Sequence, residues 1–428
     1  MVRRMKILWV VNIMLPPIAE VLGKSASNRE GWLSGVLGKM SERTTEYELS
    51  IAYPVNEYGI EECTICDDIR CYPFFEDILH PEYYDDDIES VLNKIVNKVN
   101  PDLIHIFGTE FPHAYATAKV FNNPYRTVIS MQGVCAKIAK DYMALIPNSV
   151  SSDVTFRDFI RKDSIKQQQR KFYLRAVNEA AAIGIVNNVI GRTTFDKEAV
   201  TTIKDDIRYF KINETMRDNF YEGKWSLDNA KKYSIFLGQG DYPIKGMHFL
   251  LEACGILKQK YPKLEIKIAG NSIISASGLK DKLKTPAYGK YLRKLIANND
   301  LSENVRVLGN LTKEQMKEEY LSSAVFVCAS YVENSPNTLA EAMLLGMPIV
   351  TSDAGGIKDM ISQNEAYIFE RGDSKELAGC IEAVFASEDN DPSVVQEKCD
   401  RAYNLAQEEF DPETNFESLI EVYKAIAE

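Results

Sequence analysis

The sequence has no long hydrophobic run, few histidines and no excess of positive charge. Its 428 residues include only 4 histidines, and 50 lysines and arginines stand against 62 aspartates and glutamates. The resulting net charge of −12 repels nucleic acid, so we expect no nucleic-acid partner. No stretch of about 18 apolar residues is present, so no segment is predicted to span a bilayer.

The N-terminus also lacks a secretory signal. Its apolar stretch, residues 5–15, is short and leads into Pro16 and Pro17 without a small-residue cleavage pattern. The sequence therefore predicts a cytoplasmic protein, with a peripheral position at the inner face of the membrane as the alternative.

No group of residues has the spacing of a metal site. Cys63, Cys66 and Cys71 are clustered, but no histidine and no fourth cysteine lies near them. Asp85-Asp86-Asp87 contains a formal Asp-x-Asp motif, yet it follows no buried strand, and an acidic helix start explains it better. We predict no metal and no cofactor besides the bound substrate.

Apolar runs alternate with helical patterns in two successive series. The first series predicts strands at 6–12, 47–55, 69–74, 102–107, 126–131 and 182–187. The second predicts strands at 233–238, 264–269, 305–309, 324–329, 348–352 and 366–370. Continuous apolar runs are typical of strands buried on both faces of a parallel sheet. Two series predict two doubly wound, Rossmann-like α/β domains that face a central cleft.

Loss of periodicity near 213–221 sets the predicted boundary between the domains. The first domain is predicted over residues 1–214 and the second over 215–405. Residues 406–428 include a helical pattern with no strand after it, so this helix is expected to pack across the junction and cross back to the N-terminal domain.

The clearest motif is Tyr-Val-Glu-Asn-Ser-Pro-Asn-Thr-Leu-Ala-Glu-Ala-Met at 331–343. Ser335 is a favourable helix N-cap and Pro336 fits the first helical position. The free amides of such a helix start bind phosphate or sugar hydroxyls. Glu333 precedes the helix and Glu341 lies in its second turn, where a carboxylate suits a ribose diol. A merely capped helix would have the same pattern.

A second motif, Phe-Leu-Gly-Gln-Gly-Asp-Tyr-Pro-Ile-Lys-Gly-Met at 236–247, joins a strand to a helix. Its glycines allow close approach of an anion to the backbone, and Lys245 supplies positive charge. The spacing fits neither a P-loop nor the dinucleotide fingerprint. A third motif, at 347–357, ends a strand in Gly355-Gly356, which indicates either close backbone approach to a ligand or a tight turn.

Together these motifs resemble the retaining glycosyltransferases of family four, which have the GT-B fold. Glu333 and Glu341 match the Glu-x7-Glu motif of that family, and the Lys-Gly loop and Gly-Met-Pro-Ile-Val-Thr-Ser match its pattern. The resemblance implies a metal-independent transfer of a hexose-type sugar from a nucleotide diphosphate sugar to a glycan or lipid-linked acceptor, in surface polysaccharide synthesis. It also implies that the first domain binds the acceptor and the second the donor.

The resemblance implies a role for each matching residue. Lys245 would neutralise the diphosphate leaving group, and Glu333 would lie near the donor sugar; these two are the predicted catalytic residues. The predicted donor-binding set adds the following positions: Gly31, Gly238, Gln239, Gly240, Asn334, Ser335, Pro336, Asn337, Thr338, Leu339 and Glu341.

Two positions depart from the family pattern. Gln239 stands where an arginine usually follows the donor-loop glycine, so leaving-group stabilisation rests more on Lys245 and on backbone amides. Gln132 stands where many members carry a histidine, and glutamine can hold a sugar hydroxyl but cannot act as a base. Gln132, Gly133 and His105 are the predicted acceptor or sugar contacts, with a structural role as the alternative for His105.

The segment 157–175 reverses the acidic balance of the chain. It contains Arg157, Arg161, Lys162, Lys166, Arg170, Lys171 and Arg175. It predicts either a solvated helix face or a contact with an anionic acceptor or a peripheral membrane surface.

Two other functions fit the same fold. A nucleotide-sugar epimerase would need acid–base groups in the cleft, and the Glu-x7-Glu pattern fits a transferase better. A nucleotide-sugar-binding protein of low activity is suggested by Gln132 and Gln239.

Overall fold

The computed structural model describes residues 3–24, 31–66, 68–274 and 284–427, with only the backbone for residues 31 and 32. Contacts divide the chain into two units. Unit 1 comprises residues up to 139, 171–217 and the segment from 410 onward, and unit 2 comprises 140–170 and 218–409. The domain limits predicted from sequence differ from this division at residues 140–170, and the roles attached to them stay predictions.

Unit 1 is built on an eight-stranded sheet in the order β3-β4-β2-β1-β5-β6-β7-β8. Its strands are β1 (Met5–Val10), β2 (Tyr47–Val55), β3 (Cys63–Ile65), β4 (Ile69–Phe75), β5 (Leu103–Phe107), β6 (Thr127–Ser130), β7 (Asn188–Gly191) and β8 (Arg208–Lys211). All neighbours pair in parallel except β3 with β4. Every residue of β5 is buried, as expected for a strand with helices on both faces.

Helices cover both faces of this sheet. The helices in this part of the chain are α1 (Pro16–Val21), α2 (Gly31–Ser41), α3 (Asp87–Val99), α4 (Pro112–Phe121), α5 (Cys135–Asp141), α6 (Asn148–Ser151), α7 (Phe156–Arg161), α8 (Ile165–Ile185) and α9 (Thr194–Ile203). Of these, α6 and α7 belong to unit 2, and the boundary between the units passes through α5 and α8. In α3 the buried residues Ile88, Leu92, Ile95 and Val99 lie on one helix face. The helix ends because Asn100 adopts a left-handed conformation at φ 47°.

Unit 2 contains a six-stranded parallel sheet in the order β11-β10-β9-β12-β13-β14. Its strands are β9 (Lys231–Leu237), β10 (Glu265–Ala269), β11 (Val305–Gly309), β12 (Ser323–Cys328), β13 (Ile349–Ser352) and β14 (Tyr367–Phe369). Its helices are α10 (Met247–Leu257), α11 (Ala287–Asn298), α12 (Lys313–Leu321), α13 (Asn337–Leu344), α14 (Ile357–Met360), α15 (Ser374–Asn390) and α16 (Pro392–Glu409).

The last helix, α17 (Pro412–Ala427), belongs to unit 1 although the chain reaches it from unit 2. Tyr423 is fully buried there, and its hydroxyl accepts a hydrogen bond from Trp9 Nε1 at 2.9 Å. The same hydroxyl lies 2.7 Å from His105 Nδ1. The two Rossmann-like sheets of a GT-B fold and the predicted return of the C-terminal helix are therefore confirmed.

One predicted strand is wrong. Residues 182–185 complete α8, and the strand β7 begins only at Asn188. The apolar run is ambiguous because it continues from the last turn of the helix into the strand, and alanine-rich sequence favours a helix.

Candidate active site

The sheet of unit 2 has its topological switch point between β9 and β12. From β9 the chain winds one way through β10 and β11, and from β12 it winds the other way through β13 and β14. In open parallel sheets, ligands bind outside the carboxyl ends of the strands at this point. The loop 238–246 follows β9 and the loop 329–336 follows β12, so two of the three sequence motifs lie at the switch point.

Lys245 and Glu333 meet there, although 88 positions separate them in the chain. Lys245 Nζ donates to Glu333 Oε1 at 2.5 Å, and Ser330 Oγ donates to the same oxygen at 2.8 Å. Burial lowers the pKa of Lys245, but the adjacent Glu333 carboxylate outweighs burial and the net pKa is raised. The lysine is therefore a permanent cation at neutral pH.

Gly246 holds Lys245 in this position. Its φ is +70°, and a Cβ placed on it would lie 1.8 Å from the carbonyl oxygen of Ala329 at the end of β12. The amide of Tyr331 donates to Ile244 O at 2.7 Å, which ties the two loops together. Only glycine allows the backbone of the lysine loop to approach the other loop so closely.

The third motif supports Glu333 from its other side. The amide of Gly356 donates to the main-chain oxygen of Glu333 at 3.1 Å. Ser352 Oγ, at the end of β13, donates to Ser330 O at 2.6 Å. The turn at Gly355-Gly356 after β13 therefore supports the loop that contains Glu333 through the main-chain hydrogen bond from Gly356.

The predicted N-cap of α13 is wrong. The helix begins at Asn337 with Pro336 as its N-cap and without a side-chain cap hydrogen bond, whereas the sequence pattern predicts Ser335 as the cap. Pro336 has an extended conformation, at φ −71° and ψ 118°, so it does not enter the helix. The amides of Asn337 and Thr338 come first in the helix, where amides have no intrahelical acceptor. Leu339 is fully buried and its amide donates to Pro336 O at 3.0 Å, so its contacts are structural.

Glu341 is buried beneath the first turn of α13, at 4% exposure. The hydroxyl of Tyr320 lies 3.2 Å from Glu341 Oε2 and donates to Thr338 O at 2.9 Å. A Cβ on Gly238 would lie 3.0 Å from Thr338 Cγ2, so the glycine loop after β9 packs directly on the helix start. The predicted donor residues of both loops are thus brought together.

The loop after β10 adjoins these two loops. A Cβ on Gly270 would lie 3.8 Å from Gln239 Cγ, and Asn271 Nδ2 donates to Asp241 Oδ2 at 2.9 Å. Gly240 packs against Met247, whose Sδ would lie 2.8 Å from a Cβ there. Of the remaining predicted donor positions, Asn334 is buried in the loop after β12, and Gly31 is the first residue of α2 in unit 1. Residues 25–30, before Gly31, lie outside the described residues.

Unit 1 has a corresponding switch point between β1 and β5. Asn12, just beyond β1, donates from Nδ2 to Gln132 Oε1 at 2.8 Å. Glu110, in the loop after β5, accepts from the amide of Gly133 at 2.6 Å and from the amide of Thr109 at 2.9 Å. Three loops at the carboxyl edge of the sheet therefore share one polar cluster, which contains the predicted Gln132 and Gly133.

Glu179 on α8 lies behind this cluster at 2% exposure. Its Oε2 accepts from Thr109 Oγ1 at 2.7 Å and from the amide of Cys135 at 3.3 Å. Burial raises the pKa of Glu179 to about 7, and the charge of Glu110 also acts to raise it. A carboxyl group that changes its charge near neutral pH therefore lies beside the edge of the sheet.

The contacts of His105 are structural. It is 1% exposed in β5; Nδ1 lies 2.7 Å from the Tyr423 hydroxyl and Nε2 lies 2.7 Å from Ser130 Oγ. Burial lowers the pKa of His105 to about 3, so the ring is neutral. Both ring nitrogens have interior partners, so the structural alternative explains the position of this residue.

Sequence reasoning missed several residues at these two sites. Glu110 and Asn12 are not part of any recognised motif, and Glu179 lies in a helix far along the chain. Arg371 donates to Tyr331 O at 3.0 Å, and its guanidinium lies 4.6 Å from the centre of the Tyr331 ring. Arg371 follows β14 in a loop, and no motif in the sequence distinguishes it from other arginines.

Within the described ranges, no three or more histidine, cysteine, aspartate or glutamate side chains form a group that could hold a metal ion. Asp86 and Asp87 lie at the start of α3, as N-cap and first residue. The same ranges contain no helix that is both long and apolar enough to cross a bilayer. Metal-independent chemistry stays a prediction.

Comparison with known proteins gives a family match for the main segment of unit 2. Residues 217–409 match the family model described as Glycosyl transferases group 1. The amylovoran biosynthesis glycosyltransferase AmsK of Erwinia amylovora is 31% identical over 144 residues, which is 32% of each chain. A phosphatidyl-myo-inositol mannosyltransferase of Mycobacterium leprae is 27% identical over 46% of this chain and 47% of its own. These alignments span about a third to a half of the relatives' length.

Solved structures are similar over the full length. Sucrose-phosphate synthase from Thermosynechococcus elongatus superposes with a TM-score of 0.71 at 14% identity, covering 99% of each chain. Anabaena Alr3699/HepE in complex with UDP and glucose superposes with a TM-score of 0.66 at 17% identity, covering 99% of this chain and all of that one. Residues 217–409 belong to the glycosyltransferase group 1 family, and the chain has the GT-B fold.

Proposed function

We propose that this chain is a retaining glycosyltransferase that moves a hexose-type sugar from a nucleotide diphosphate sugar to a glycan or lipid-linked acceptor in surface polysaccharide synthesis. The observation that carries the proposal is the meeting of Lys245, Glu333 and the start of α13 at the switch point of unit 2. A cation and free helix amides stabilise a diphosphate, and a carboxylate can accept hydrogen bonds from sugar hydroxyls.

Lys245 has the central chemical role in this proposal. Cleavage of the bond between the sugar and the diphosphate leaves negative charge on the departing phosphate oxygen. A lysine kept protonated by Glu333 stabilises that charge, and the amides of Asn337 and Thr338 add hydrogen bonds. Glu333, held by Ser330, orients the sugar and stabilises positive charge that develops at the anomeric carbon.

The proposed donor site extends along α13 and the loop after β10. Glu341 accepts the ribose hydroxyls, and the two adjoining loops that contain Gln239 and Gly270-Asn271 bind the base. The name of the mannosyltransferase relative indicates a lipid acceptor for that protein, and that of AmsK indicates polysaccharide synthesis. Both names support a glycan or lipid-linked acceptor for this chain.

The proposed acceptor site is the polar cluster of unit 1. Gln132, Asn12 and Glu110 offer hydrogen-bonding groups to sugar hydroxyls at the carboxyl edge of the sheet. Glu110 fixes the loop of Gly133 and thereby positions Gln132. None of these residues needs to remove the proton of the acceptor, because the departing phosphate can accept it.

Donor hydrolysis tests the proposal. A thermal-shift panel of UDP, GDP and ADP sugars first identifies the donor, since a bound ligand raises apparent stability by mass action. A transferase then slowly releases nucleoside diphosphate from that donor without acceptor, and Glu333→Gln lowers this rate while nucleotide affinity is largely kept. A chain that binds the nucleotide sugar but never releases nucleoside diphosphate would be a binding protein, and the proposal would be wrong.

A further inference from the structure

The basic segment predicted from sequence divides into two parts with different surroundings. Lys171 and Arg175 lie in unit 1, where Lys171 Nζ is 3.4 Å from Glu82 Oε1 and Arg175 Nε donates to Glu110 O at 2.7 Å. These two cations make internal contacts. The part from 157 to 170 belongs to unit 2 and contains most of helix α7, and its outer surface has a different character.

Helix α7 exposes three large apolar side chains on one face. Phe156, Phe159 and Ile160 are 63%, 73% and 63% exposed. Phe159 and Ile160 follow Phe156 by three and four positions, so the three side chains lie together on the helix surface. Single exposed apolar residues are ordinary, but a group of three on a six-residue helix marks an interaction surface.

The opposite side of the helix attaches it firmly to unit 2. Asp158 is 1% exposed; it closes a capping box with Thr155 and accepts from the amide of Ala287 at 2.9 Å. Arg157 pairs with Asp158 at 3.0 Å and with Asp163 at 2.9 Å. The helix therefore has a fixed orientation on unit 2, while its three apolar side chains stay exposed.

Charge on the exposed side is of one sign. Among the described residues, no carboxylate lies within 4.0 Å of the side-chain nitrogens of Arg161, Lys162 or Lys166, all of which are exposed. Each acidic residue of the segment has a cationic partner away from these three side chains: Asp158 and Asp163 share Arg157, and Asp153 lies 2.8 Å from Lys290. A local excess of cations thus surrounds three apolar side chains on a chain of net charge −12.

We propose that this α7 patch, formed by Phe156, Phe159, Ile160, Arg161, Lys162 and Lys166, docks unit 2 on an anionic phospholipid surface. The apolar side chains enter the boundary between headgroups and acyl chains, and the cations bind the lipid phosphates. Aromatic and aliphatic side chains bordered by lysine and arginine are complementary to that interface and not to a neutral or cationic partner. The inference is independent of the donor chemistry proposed above.

Vesicle sedimentation tests the proposal with the full chain. Vesicles of phosphatidylcholine containing about one third phosphatidylglycerol should bind the protein at least about tenfold more tightly than phosphatidylcholine alone, and added salt should weaken binding. The triple substitution Phe156→Ser, Phe159→Ser and Ile160→Ser should abolish sedimentation. Arg161→Glu, Lys162→Glu and Lys166→Glu together should do the same.

A matched control reverses three exposed lysines elsewhere in unit 2, at Lys263, Lys294 and Lys375. The control changes net charge equally and should keep binding, which separates a local patch from bulk charge. The midpoint of thermal unfolding should match that of wild type in every variant, which verifies folding. Equal binding to both vesicle types, or full binding by either patch variant, would overturn the proposal. So would a wild-type dimer that the serine variant dissociates while vesicles bind neither protein.

Discussion

The two units carry equivalent sheets but different chemistry at their switch points. In unit 2 the site contains a cation paired with a carboxylate, Lys245 and Glu333, next to a helix start. In unit 1 the equivalent place contains the amides of Asn12 and Gln132 and the carboxylate of Glu110. One arrangement suits a diphosphate and the other suits neutral hydroxyls, so under the proposed function the same topology would serve two kinds of ligand.

The difference lies also in how each site is held in place. In unit 2, Gly246 at φ +70° brings the backbones of the loops after β9 and β12 together. The conformation of these two loops then sets the positions of Lys245 and Glu333. In unit 1, side chains from three loops and from α8 hold one another, because Glu110 and Glu179 accept hydrogen bonds from backbone amides and from Thr109. The first arrangement depends on chain conformation and the second on a hydrogen-bond network.

Removal of the cation should produce the largest effect. Lys245→Ala is expected to lower turnover about 100-fold or more, because the leaving phosphate loses its stabilising charge. Steady-state release of nucleoside diphosphate measures it. Lys263→Ala, an exposed lysine of the same unit, is the control and should have wild-type turnover. Near-normal turnover of Lys245→Ala would show that the switch point of unit 2 does not depend on a cation, and its proposed chemical difference from unit 1 would be wrong.

Gly246→Ala tests whether backbone conformation builds the donor site. A methyl group there collides with Ala329 O, so the lysine loop must move and we expect a lower midpoint of thermal unfolding together with loss of nucleotide binding. Gly59→Ala is the matched control, since Gly59 has φ +83° and a Cβ placed on it would have no atom within 4 Å. The control should cost only about 1 kcal/mol of backbone strain. Equal effects of the two substitutions would show that the close contact is unimportant.

Glu110→Gln should act on the acceptor alone. The carboxamide has one acceptor oxygen, so it cannot serve the amides of both Thr109 and Gly133, and Gln132 loses its fixed position. We expect the KM for acceptor to rise about tenfold with unchanged nucleotide affinity. Glu198→Gln, an exposed glutamate on α9, should leave both constants unchanged. A weaker affinity for nucleotide in Glu110→Gln would show that the polar cluster of unit 1 takes part in donor binding.

The smallest effect concerns pH and belongs to unit 1. Burial raises the pKa of Glu179 to about 7 from the usual 4.5, so folding favours its protonated form. This contribution to stability is complete below pH 4.5 and is lost as the pH rises through about 7. Glu179→Gln removes it, so its unfolding midpoint relative to wild type should be higher at pH 8 than at pH 5. A difference that does not change with pH would contradict the raised pKa.

The sequence predicted unit 2 far better than the polar cluster of unit 1. Glu333 and Glu341 are close in the chain, and the helix start between them is a local structure with local signals. Asn12, Glu110, Gln132 and Glu179 come from four distant segments, so nothing short of the folded sheet brings them together. The family resemblance pointed to Gln132, which stands where many members have a histidine, but it did not point to the side chains around it, such as Asn12.

Local signals also failed in identifiable ways. Ser335 has the right chemistry for an N-cap, but the extended conformation of Pro336 before Asn337 moves the helix start along the chain. For His105, by contrast, the sequence left both a ligand contact and a structural role open, and the return of α17, which supplies Tyr423 as its partner, favours the structural role. A contact between residues 318 positions apart has no signature in a single sequence.

The most direct test of the division between the two switch points is calorimetric titration of the preferred nucleoside diphosphate into three proteins: wild type, Lys245→Ala and Gln132→Ala. We expect at least about a tenfold loss of affinity for Lys245→Ala and wild-type affinity for Gln132→Ala. Unchanged binding by Lys245→Ala, or a greater loss in Gln132→Ala, would contradict the assignment of the diphosphate to unit 2.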